Sequence, residues 1–317
     1  MKKIPVIIDC DPGHDDAIAI LWALSSPKLE IKAVTTVAGN QTLDKVTTNA
    51  IKVLTKARRL DIPVARGAAK PMIRKLKTGD IVHGESGLEG PLLPEKGFEE
   101  SELSALEMLI QVLEESEEKV TLIPVGPLTN IGTLLVVRPD LKAKIDKLYI
   151  MGGGMYRGNF TPVAEYNIWA DPEAAKVVFQ SELPIVMAGL DVTHKAFVTR
   201  EENEILRSQG NEISVFVAEL IDYFSKYHYE MEGFAGCTLH DPAAVAALLY
   251  PEIFQGIPCS VDVETGGELT TGMTVVDTIG YKEKIWKEKV VKNTTLLLDV
   301  DREEFVRLFL ADMKKLG

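Results

Sequence analysis

Short runs of apolar residues alternate with longer amphipathic segments over most of the chain. Residues 4–8 are apolar without interruption, which is typical of a strand that is buried on both faces. Residues 17–24 form a second apolar run, but they are strong helix formers and predict a helix. Further strands are predicted at residues 31–37, 62–64, 120–125, 148–151 and 185–187, and further helices at residues 43–56, 128–137 and 171–180. This alternation predicts an α/β fold with a mainly parallel open sheet and helices on both of its faces.

The last third of the chain follows the alternation less regularly. Its predicted elements are a long helix at residues 212–229, strands at residues 260–265 and 294–300, and a closing helix from Arg302. Asp171-Pro172 and Asp241-Pro242 each predict a helix start, because Asp caps a helix N-terminus and Pro fits the first turn. The chain contains no repeat and no linker rich in Pro, Gly or Ser, so residues 1–317 are expected to form a single domain.

The composition argues against several classes of partner. With 317 residues, of which 46% are hydrophobic, the chain can bury a core that needs no disulfide or structural metal. The net charge of −12 argues against nucleic acids and anionic membranes as main partners, because both are bound through clustered Lys and Arg. The expected partner is therefore a small molecule.

Three features of the sequence indicate a cytoplasmic location. Cys10, Cys237 and Cys259 are an odd number with no CxxC pair, which suggests a reducing compartment and gives no zinc-site spacing. The apolar run near the N-terminus turns acidic at Asp9 and is too short for a signal peptide. No apolar stretch approaches the ~18 residues that a membrane-spanning helix requires.

The largest cluster of potentially reactive side chains directly follows the first predicted strand. Asp9, Asp11, Asp15 and Asp16 place four carboxylates within eight residues, around a turn at Pro12-Gly13. Open parallel sheets bind ligands at the carboxyl ends of strands, and clustered carboxylates repel each other unless a cation compensates them. A hard divalent cation with oxygen ligands fits this set better than zinc, for which no Cys–His pair lies at the required spacing. Capping of the following helix explains one of these carboxylates but not four.

Three weaker groups of candidate residues lie further along the chain. Gly152-Gly153-Gly154 lets the backbone approach a ligand, and Asn159 and Glu165-Tyr166-Asn167 offer hydrogen bonds to sugar hydroxyls; an ordinary polar loop is the alternative. His240 stands alone at a helix start, where a histidine is more often a structural hydrogen-bonding residue than a catalyst. The segment 83–87 lies in a long loop region, and long loops in compact domains tend to be functional.

Taken together, these segments resemble the nucleoside hydrolases, the family that includes inosine–uridine-preferring and pyrimidine-specific ribonucleoside hydrolases. The resemblance covers nearly the whole chain in order, at residues 9–16, 38–40, 83–87, 126–130, 151–154, 159, 165–167 and 240–241. It is strongest to the bacterial pyrimidine-specific branch. The resemblance implies a single catalytic domain with the nucleoside-hydrolase fold. It also implies hydrolysis of the N-glycosidic bond of ribonucleosides, with a preference for uridine and cytidine.

The resemblance further implies one Ca²⁺ per subunit. The matching ligands are the carboxylates of Asp11, Asp16 and Asp241 and the carbonyl of Val125, an all-oxygen set that suits this ion. Asp11 is implied as the general base that takes a proton from a water activated by the ion, with Asp9 supporting the site. Anionic groups around the ribose would stabilise the positive charge that develops on the sugar during cleavage.

The remaining implied roles concern the two halves of a nucleoside. The implied ribose-binding residues are Asp15, Asn40, Met151, Asn159, Glu165 and Asn167. The implied base-pocket residues are His83, Phe160, Tyr166, Tyr227 and Phe234. His240 matches the acid that protonates the leaving base, and either His240 or His83 could donate a proton or simply hydrogen-bond the base. Phe234 fits core packing equally well, and positions within residues 223–234 are hard to align. A homo-oligomer, either a dimer or a tetramer, is also implied.

Two other functions fit parts of the sequence less well. The pair Asp9 and Asp11 resembles the paired aspartates of Mg²⁺-dependent haloacid-dehalogenase-type phosphatases, but Gly13 stands where those enzymes have Thr or Val. A non-catalytic protein that binds sugars or nucleosides has a similar α/β pattern, but little use for four clustered carboxylates. Within the family, a purine or broad nucleoside preference, or a related N-ribosyl substrate, stays open.

Overall fold

The structure, a computed structural model, describes residues 2–316 and contains one large sheet and a small two-stranded ribbon. In chain order the strands are β1 Ile4–Cys10, β2 Leu29–Thr36, β3 Val64–Arg66, β4 Val120–Pro124, β5 Ile145–Met151, β6 Ile185–Ala188, β7 Phe197–Val198, β8 Cys237–Thr238, β9 Phe254–Val263, β10 Thr274–Asp277 and β11 Thr294–Val300. Strands β7 and β8 pair with each other, and the other strands form the sheet.

The order of strands across the sheet creates a crevice near its middle. That order is β10-β9-β11-β6-β5-β4-β1-β2-β3. The strands from β11 to β3 run parallel, while at one edge β9 pairs antiparallel with β11 and β10 pairs antiparallel with β9. Because β1 lies between β2 and β4, the chain first builds one side of the sheet and then returns to build the other. At such a switch point the connections diverge, and ligands bind outside the carboxyl ends of the strands.

Helices surround this sheet within the described residues. They are α1 His14–Ser25, α2 Leu43–Lys56, α3 Asp80–His83, α4 Ala105–Glu115, α5 Thr129–Val137, α6 Tyr166–Ala170, α7 Pro172–Phe179, α8 Leu190–Thr193, α9 Arg200–Ser208, α10 Glu212–Tyr227, α11 His240–Leu249, α12 Tyr281–Trp286 and α13 Arg302–Leu316. Short 3₁₀ segments lie at Pro139–Lys144 and Pro251–Ile253, and a π-helical turn at His228–Glu232 continues α10. Between residues 2 and 316, no helix has the length and apolar character needed to span a bilayer.

The side chains of the sheet point alternately into two hydrophobic layers. Val6 and Ile8 of β1 pack in one layer with residues of α1, α2, α10, α11 and α13, including the fully buried Trp22. Ile7, which lies between them in the strand, packs in the other layer with residues of α4, α5 and α7. Helices therefore cover both faces, and the predicted α/β fold with a mainly parallel open sheet is confirmed.

Some boundaries differ from those predicted from the pattern. Strand β3 begins at Val64, where the prediction ended, and β9 begins at Phe254 rather than at residue 260, because its first half pairs with β11. Helix α4 was not predicted at all. Its start nevertheless carries a capping box, in which Ser104 and Glu107 exchange hydrogen bonds with each other's backbone amides.

Candidate active site

A cavity of about 350 Å³ opens at the carboxyl ends of the central parallel strands. The residues that reach it from the ends of β1, β2, β4 and β5 are Asp15, Asn40, Val125 and Met151. The facing wall is formed by α3, by the last turn of α10 and by the first turn of α11. The cavity therefore occupies the switch point of the sheet, where a ligand site is expected.

Asp16 holds the turn between β1 and α1 in place. Its carboxylate accepts hydrogen bonds from the backbone amides of Asp11 and Gly13, each at 3.0 Å. The side-chain amide of Asn40 donates to the same carboxylate at 3.1 Å. A negative charge in the first turn of a helix is also favoured by the helix dipole. Asp16 is thus fixed by the backbone that it stabilises.

Asp11 lies in a slot between two glycines. Its Oδ2 accepts a hydrogen bond of 2.6 Å from the amide of Asn40, while its buried Oδ1 has no hydrogen-bond partner among the described residues. A Cβ atom at Gly39 would lie 2.1 Å from Oδ2, and one at Gly126 would lie 2.5 Å from Oδ1. Only glycine leaves room for this carboxylate. Burial, followed by repulsion from Asp16, raises the pKa of Asp11 well above its ordinary value.

Three further carboxylates meet beside Asp11. Oxygen atoms of Asp15, Asp16 and Asp241 all lie within 4.8 Å of one another, and all three residues are buried. Burial raises the pKa of each of them, and repulsion between the carboxylates raises the pKa of Asp15 and Asp241 further. Asp241 enters from the first turn of α11, so the cluster joins the beginning of the chain to a helix that lies far along it.

Asp9 is buried near the cavity but does not line it. Its Oδ1 accepts hydrogen bonds from Thr35 Oγ1 at 2.5 Å and from Asn130 Nδ2 at 2.8 Å. Its Oδ2 has no partner among the residues that the structure describes, and burial raises the pKa of Asp9 to about 7. Asp9 thus ties β1 to β2 and α5 beneath the other aspartates, and its supporting role stays a prediction.

The donor atoms of this cluster fit a divalent cation. Buried carboxylates at this density are costly unless they bind protons or a cation neutralises them. The unpaired Oδ1 of Asp11 and the clustered oxygens of its neighbours supply hard, anionic donors. The carbonyl of Val125 accepts one hydrogen bond from Asn167, at 2.8 Å, and keeps a second lone pair for another ligand. The residues present therefore fit a bound divalent metal ion with oxygen ligands.

The predicted ribose-binding residues line the same cavity. They are Asp15, Asn40, Met151, Asn159, Glu165 and Asn167. The side-chain nitrogen of Asn40 donates to the carbonyl of Asp11 at 3.2 Å, and that of Asn167 donates to the carbonyl of Met151 at 3.2 Å. Because these amide nitrogens are engaged with the protein, the amide oxygens are left to accept hydrogen bonds from hydroxyl groups.

Glu165 is fixed by the loop that it caps. Its Oε1 accepts a hydrogen bond from the amide of Asn167 at 2.8 Å. Its Oε2 accepts from the amides of Gly153 at 2.8 Å and Ile168 at 3.2 Å. These bonds join the start of α6 to the glycine loop after β5. Burial raises the pKa of Glu165 to about 7.

The outer part of the cavity is lined by rings and apolar side chains. The residues of this part are Ile81, Val82, His83, Phe160, Tyr166, Phe224, Tyr227, His228 and His240. Tyr166 donates a hydrogen bond from its hydroxyl to the carbonyl of Lys77 at 2.9 Å, which ties α6 to the segment before α3. Phe160 is 42% exposed and lies at the mouth, with its ring 5.4 Å from that of Tyr166. This part of the cavity suits a flat, partly polar ring.

Six residues that line the cavity were not predicted from the sequence, namely Thr78, Gly79, Ile81, Val82, Phe224 and His228, and two of them carry rings. His228 begins the π-helical turn after α10, is 2% exposed, and has an Nδ1 atom with no hydrogen-bond partner among the described residues. Phe224 lies one turn earlier, with its ring 4.5 Å from that of His228. The available signal was their spacing of four residues on the apolar face of a predicted helix, which the sequence alone assigns to the core.

The predicted position of Phe234 needs correction. Its ring lies 4.9 Å from that of His194 and 6.0 Å from that of His228, and the guanidinium of Arg157 lies 5.7 Å from its centre. Phe234 follows the left-handed residue Gly233 and packs against His194 and His228 instead of lining the cavity. Tyr227, predicted from the same segment, does line the cavity.

His240 is held at the inner end of the ring-lined wall. Its Nδ1 lies 2.8 Å from the hydroxyl oxygen of Thr193, which fixes the ring and leaves Nε2 for a ligand. Burial lowers the pKa of His240 well below its ordinary value, and the nearby positive charge of a protonated His194 would lower it further. His240 is therefore a strong acid once protonated and a hydrogen-bonding group otherwise.

His83 lies on the opposite side of the wall, at the end of α3. Its ring is 5.2 Å from that of Phe224, and its Nδ1 is 3.1 Å from Nδ1 of His14. Burial lowers the pKa of His83 well below its ordinary value. Both predicted histidines therefore reach the cavity from buried positions, in which the neutral imidazole is favoured.

The sequence of this chain is similar to those of known nucleoside hydrolases. Residues 6–307 match the sequence profile of the family described as inosine-uridine preferring nucleoside hydrolase. The chain is 52% identical over 316 residues to the pyrimidine-specific ribonucleoside hydrolase RihA of Escherichia coli O127:H6, and the match covers 98% of each chain.

Solved structures of nucleoside hydrolases are also similar to this chain. A plant nucleoside hydrolase, PpNRh1, superposes with a TM-score of 0.91 at 31% identity, covering 98% of this chain and 99% of the plant chain. A purine-preferring ribonucleoside hydrolase from Gardnerella vaginalis superposes with a TM-score of 0.90 at 29% identity, covering 98% of both chains. The similarity extends over the whole sheet and therefore includes every element that contributes to the cavity.

Proposed function

The chain belongs to the inosine-uridine preferring nucleoside hydrolase family, and from that premise we propose a ribonucleoside hydrolase that prefers uridine and cytidine and works with Ca²⁺. As a member of this family it is an enzyme that hydrolyses the N-glycosidic bond between a nucleobase and its sugar. One observation carries the proposal: a single cavity joins a cluster of carboxylates, a set of polar groups suited to ribose and a wall of rings.

The proposed Ca²⁺ ligands are the carboxylates of Asp11, Asp16 and Asp241 and the carbonyl of Val125. The clustering of Asp16 with Asp241 supports two of these ligands, and the buried, unpaired Oδ1 of Asp11 supports a third. When bound, such an ion supplies Lewis-acid activation of the attacking water. Asp15 belongs to the same cluster and, like Asp241, lines the cavity; its assignment to the ribose hydroxyls follows the family resemblance.

Asp11 is the proposed general base. A base needs a free lone pair and a pKa near the working pH, so that it can take a proton in the reaction. The Oδ1 atom is unpaired, and burial raises the pKa of Asp11 well above that of an exposed aspartate. The bond from Asn40 to Oδ2 fixes the carboxylate, so that the same oxygen always faces the water.

The ribose is proposed to be held by the polar residues at the strand ends. During cleavage of the glycosidic bond, positive charge develops on the sugar, and nearby anionic groups stabilise that charge. Asp15 and Glu165 both line the cavity and are both buried, where electrostatic interactions are stronger than in water. Asn167 orients both the loop after β4 and the end of β5 through its bonds to Val125 and Met151.

The leaving base is proposed to receive a hydrogen bond or a proton from His240. The bond between Thr193 and Nδ1 leaves Nε2 of His240 for the base. Phe160 and Tyr166 lie at the mouth of the cavity, where their rings could stack on the base. His83 and Tyr227 complete the proposed base pocket, together with the newly identified Phe224 and His228.

The proposed pyrimidine preference rests on similarity. The relative at 52% identity is described as pyrimidine-specific, whereas the purine-preferring structure is only 29% identical to this chain. The decisive experiment compares kcat/KM for uridine, cytidine, inosine and adenosine, measured as released ribose. We expect uridine and cytidine to be preferred by at least about tenfold. A preference for inosine would overturn the specificity, and no ribose from any of the four with Ca²⁺ present would overturn the proposed function.

Removal of the metal gives a second test of the same proposal. Chelation should abolish ribose release, and Ca²⁺ should restore it more fully than Zn²⁺, because the donors are all oxygen. The variant Asp11→Asn should keep the fold and lose most of its turnover. Near-wild-type activity in that variant would contradict the role of Asp11 as base.

A cytoplasmic, homo-oligomeric enzyme, either a dimer or a tetramer, is also proposed. The cysteines in the described part of the chain are buried and unpaired, in keeping with a reducing compartment. Near the sheet edge formed by β10, several large apolar side chains are exposed, namely Leu269, Val275, Ile279, Tyr281, Ile285 and Trp286. Exposed apolar patches mark subunit contacts in many proteins. Light scattering at working concentration tests this, and a monomer would contradict it.

A further inference from the structure

Thr274, in the edge strand β10, bonds to the glycine loop after β5 and has no part in the chemistry assigned above. It is 2% exposed and does not line the cavity. Its Oγ1 accepts a hydrogen bond from the amide of Gly154 at 3.0 Å and donates one to the carbonyl of the same residue at 2.6 Å. An amide only donates and a carbonyl only accepts, so the single hydroxyl hydrogen of Thr274 points to the carbonyl. One side chain thus satisfies both backbone groups of Gly154.

The hairpin of β9 and β10 holds this hydroxyl against the loop. Thr274 pairs with Val263 in the antiparallel ladder of the hairpin. Two residues earlier, Gly272 has a φ of +82°, and a Cβ atom there would lie 2.7 Å from Cα of Trp169 in α6. The hairpin therefore packs directly on α6, whose N-terminus is capped by Glu165. Thr274 thus joins the edge of the sheet to the loop that Glu165 also contacts.

Two consecutive amides of the loop are shared between Thr274 and Glu165. The amide of Gly154 donates to Thr274, whereas the amide of Gly153 donates to Oε2 of Glu165 at 2.8 Å. Gly153 has a φ of +73°, and this left-handed turn sets the angle between the two amides. A Cβ atom at Gly153 would lie 2.8 Å from Cγ2 of Thr274, so the side chain packs closely on the turn. The direction of one amide therefore constrains the direction of the other.

We propose that Thr274 is a positioning residue that holds the glycine loop so that Gly153 stays bonded to Glu165 and keeps this carboxylate directed at the ribose. This rests on the proposed function, since it takes Glu165 to bind the ribose. Without the hydroxyl, the amide and the carbonyl of Gly154 would be buried with no partner, which costs more than the two bonds themselves. The loop would turn to satisfy these groups elsewhere, and the amide of Gly153 would leave Glu165.

A second route leads from the same loop to the leaving base. The carbonyl of Gly153 accepts a hydrogen bond from the amide of Leu190 at 2.9 Å. Leu190 begins α8, and Thr193 at the end of α8 holds His240. Glu165 is bonded to the loop directly, whereas His240 is reached only through two residues of α8, so the contacts favour Glu165. The two routes differ in the half of the nucleoside that loses its support, and substrates can separate them.

Two substitutions of Thr274 separate the hydroxyl from packing. Thr274→Val keeps the shape of the side chain and removes the hydroxyl, whereas Thr274→Ser keeps the hydroxyl. We expect the valine variant to lower kcat/KM about tenfold, both for uridine and for an activated aryl riboside, which has the same ribose but needs no acid. The serine variant should stay within about threefold of the wild type. An unchanged kcat/KM in the valine variant, or a loss confined to uridine, would overturn the proposal.

A double-mutant cycle tests the route through Glu165. In the background of Glu165→Gln, the change Thr274→Val should lower kcat/KM by less than about twofold, because the carboxylate through which it acts is already absent. A further tenfold loss would show that Thr274 acts elsewhere. If the valine variant does not fold, Thr274→Cys takes its place, because a thiol is a weaker donor and acceptor than a hydroxyl. Its smaller loss should likewise be equal on both ribosides and vanish in the glutamine background, and a loss that persists there would refute the proposal.

A matched control addresses the effect of placing valine in this part of the sheet. Thr294 of β11 is 1% exposed, and its Oγ1 has no hydrogen-bond partner among the described residues. Thr294→Val should therefore leave kcat/KM unchanged, and a loss equal to that of Thr274→Val would contradict the assigned role of the hydroxyl.

Hydrogen exchange of residues 151–158, measured by mass spectrometry without substrate, separates this inference from the proposed function. Exchange should be faster in Thr274→Val than in the wild type or in Thr294→Val, because the amide of Gly154 has lost its acceptor. Equal exchange in all three proteins would contradict the inference. A wild-type protein that releases no ribose would instead contradict the proposed function.

Discussion

The carboxylate of Asp11 occupies space that even a methyl group on a neighbouring residue would take. A Cβ at Gly126 would stand 2.5 Å from Oδ1 of Asp11, far inside van der Waals contact, and this oxygen belongs to the proposed base. Protein interiors do not absorb such overlaps without moving atoms. The position of the proposed base thus depends on two glycines that carry no chemistry of their own.

Replacing one of these glycines should therefore disable the enzyme. Gly126→Ala is expected to lower kcat/KM for uridine at least about 100-fold, because a displacement of about 1 Å in a reacting group has effects of that size. Gly266→Ala is a matched control, since the nearest atom to its added Cβ is 3.8 Å away. Ribose release is the measurement. A Gly126→Ala variant with more than half of the wild-type activity would contradict the assigned place of Asp11.

His240 offers a second prediction at the scale of single residues. His240→Ala should lower turnover of uridine about 100-fold, because general acid catalysis typically contributes an effect of this size. An activated aryl riboside, whose leaving group needs no proton, should be affected much less. Thr193→Val, which removes the hydroxyl that fixes the ring, should show the same pattern more weakly. Equal losses on both substrates would argue against the acid role.

At the scale of elements, α1 and α13 are joined by a buried carboxylate far from the cavity. Asp312 of α13 is 3% exposed and accepts hydrogen bonds from Trp22 Nε1 at 3.0 Å and from the hydroxyl of Tyr250 at 2.5 Å. Removing an acceptor from buried donors costs the desolvation of each donor as well as the bonds themselves. This contact therefore contributes to the attachment of the closing helix to the hydrophobic layer behind the site.

Loss of this contact should affect stability and leave catalysis intact. Asp312→Ala is expected to lower the free energy of unfolding by about 2–4 kcal/mol, as measured by chemical denaturation. Asp299→Ala is the control, because Asp299 forms only an exposed ion pair with Lys195 and should matter by less than about 1 kcal/mol. At a temperature where both variants are folded, kcat/KM should match that of the wild type. A stability equal to that of the control would show that the contact is redundant.

Some elements were predictable from the sequence and others were not. Helix α2 and strand β11 have the predicted bounds, because their patterns are periodic or continuously apolar and their ends are well marked. The turn after β1 was found because carboxylates are rare at the end of a buried strand. The pocket face of α10 was not found, because Phe224 and His228 have the spacing of ordinary core residues. Whether such residues face a core or a cavity depends on what packs opposite them.

The candidate site was predictable to a different degree in each of its parts. The clustering of the aspartates near the N-terminus follows from their spacing, but their meeting with Asp241 depends on the switch point between β1 and β4. The resemblance to a family supplied that connection before the structure did. Phe234 shows the limit, because its packing against His194 and His228 depends on the folded backbone and not on its spacing in the sequence.

At the scale of the whole molecule, the buried carboxylates link stability to pH and metal. In the folded chain without an ion, burial raises the pKa of Asp9 from 3.8 to about 7, and it raises the pKa of Asp11 and Asp241 well above 3.8. Between about pH 4 and pH 7 the folded state therefore binds more protons than the unfolded chain. Below the pKa values of the unfolded chain these carboxylates do not lower the free energy of unfolding. They lower it increasingly as pH rises through their pKa values in the folded state.

The stabilising effect of the proposed Ca²⁺ should for this reason increase with pH. The ion replaces protons on the cluster, so binding is opposed at low pH and favoured once those protons have left. We expect the rise in Tm on adding Ca²⁺ to a chelator-treated protein to be several degrees larger, on the order of 5 °C, at pH 8 than at pH 5.5. Asp241→Asn should reduce this difference. The same rise at both pH values would contradict the assignment of the ion to this cluster.

The distance along the chain between Asp16 and Asp241 also sets an order of events during synthesis. A nascent chain that has left the ribosome only as far as α10 already carries the aspartates of the first turn, but it lacks the carboxylate that completes their cluster. Domains begin to fold from their N-terminus as they emerge. The first strands of this protein must therefore assemble around an incomplete group of repelling charges, and high-affinity binding of the proposed ion becomes possible only after α11 has docked. Metal uptake would then report the completion of the fold.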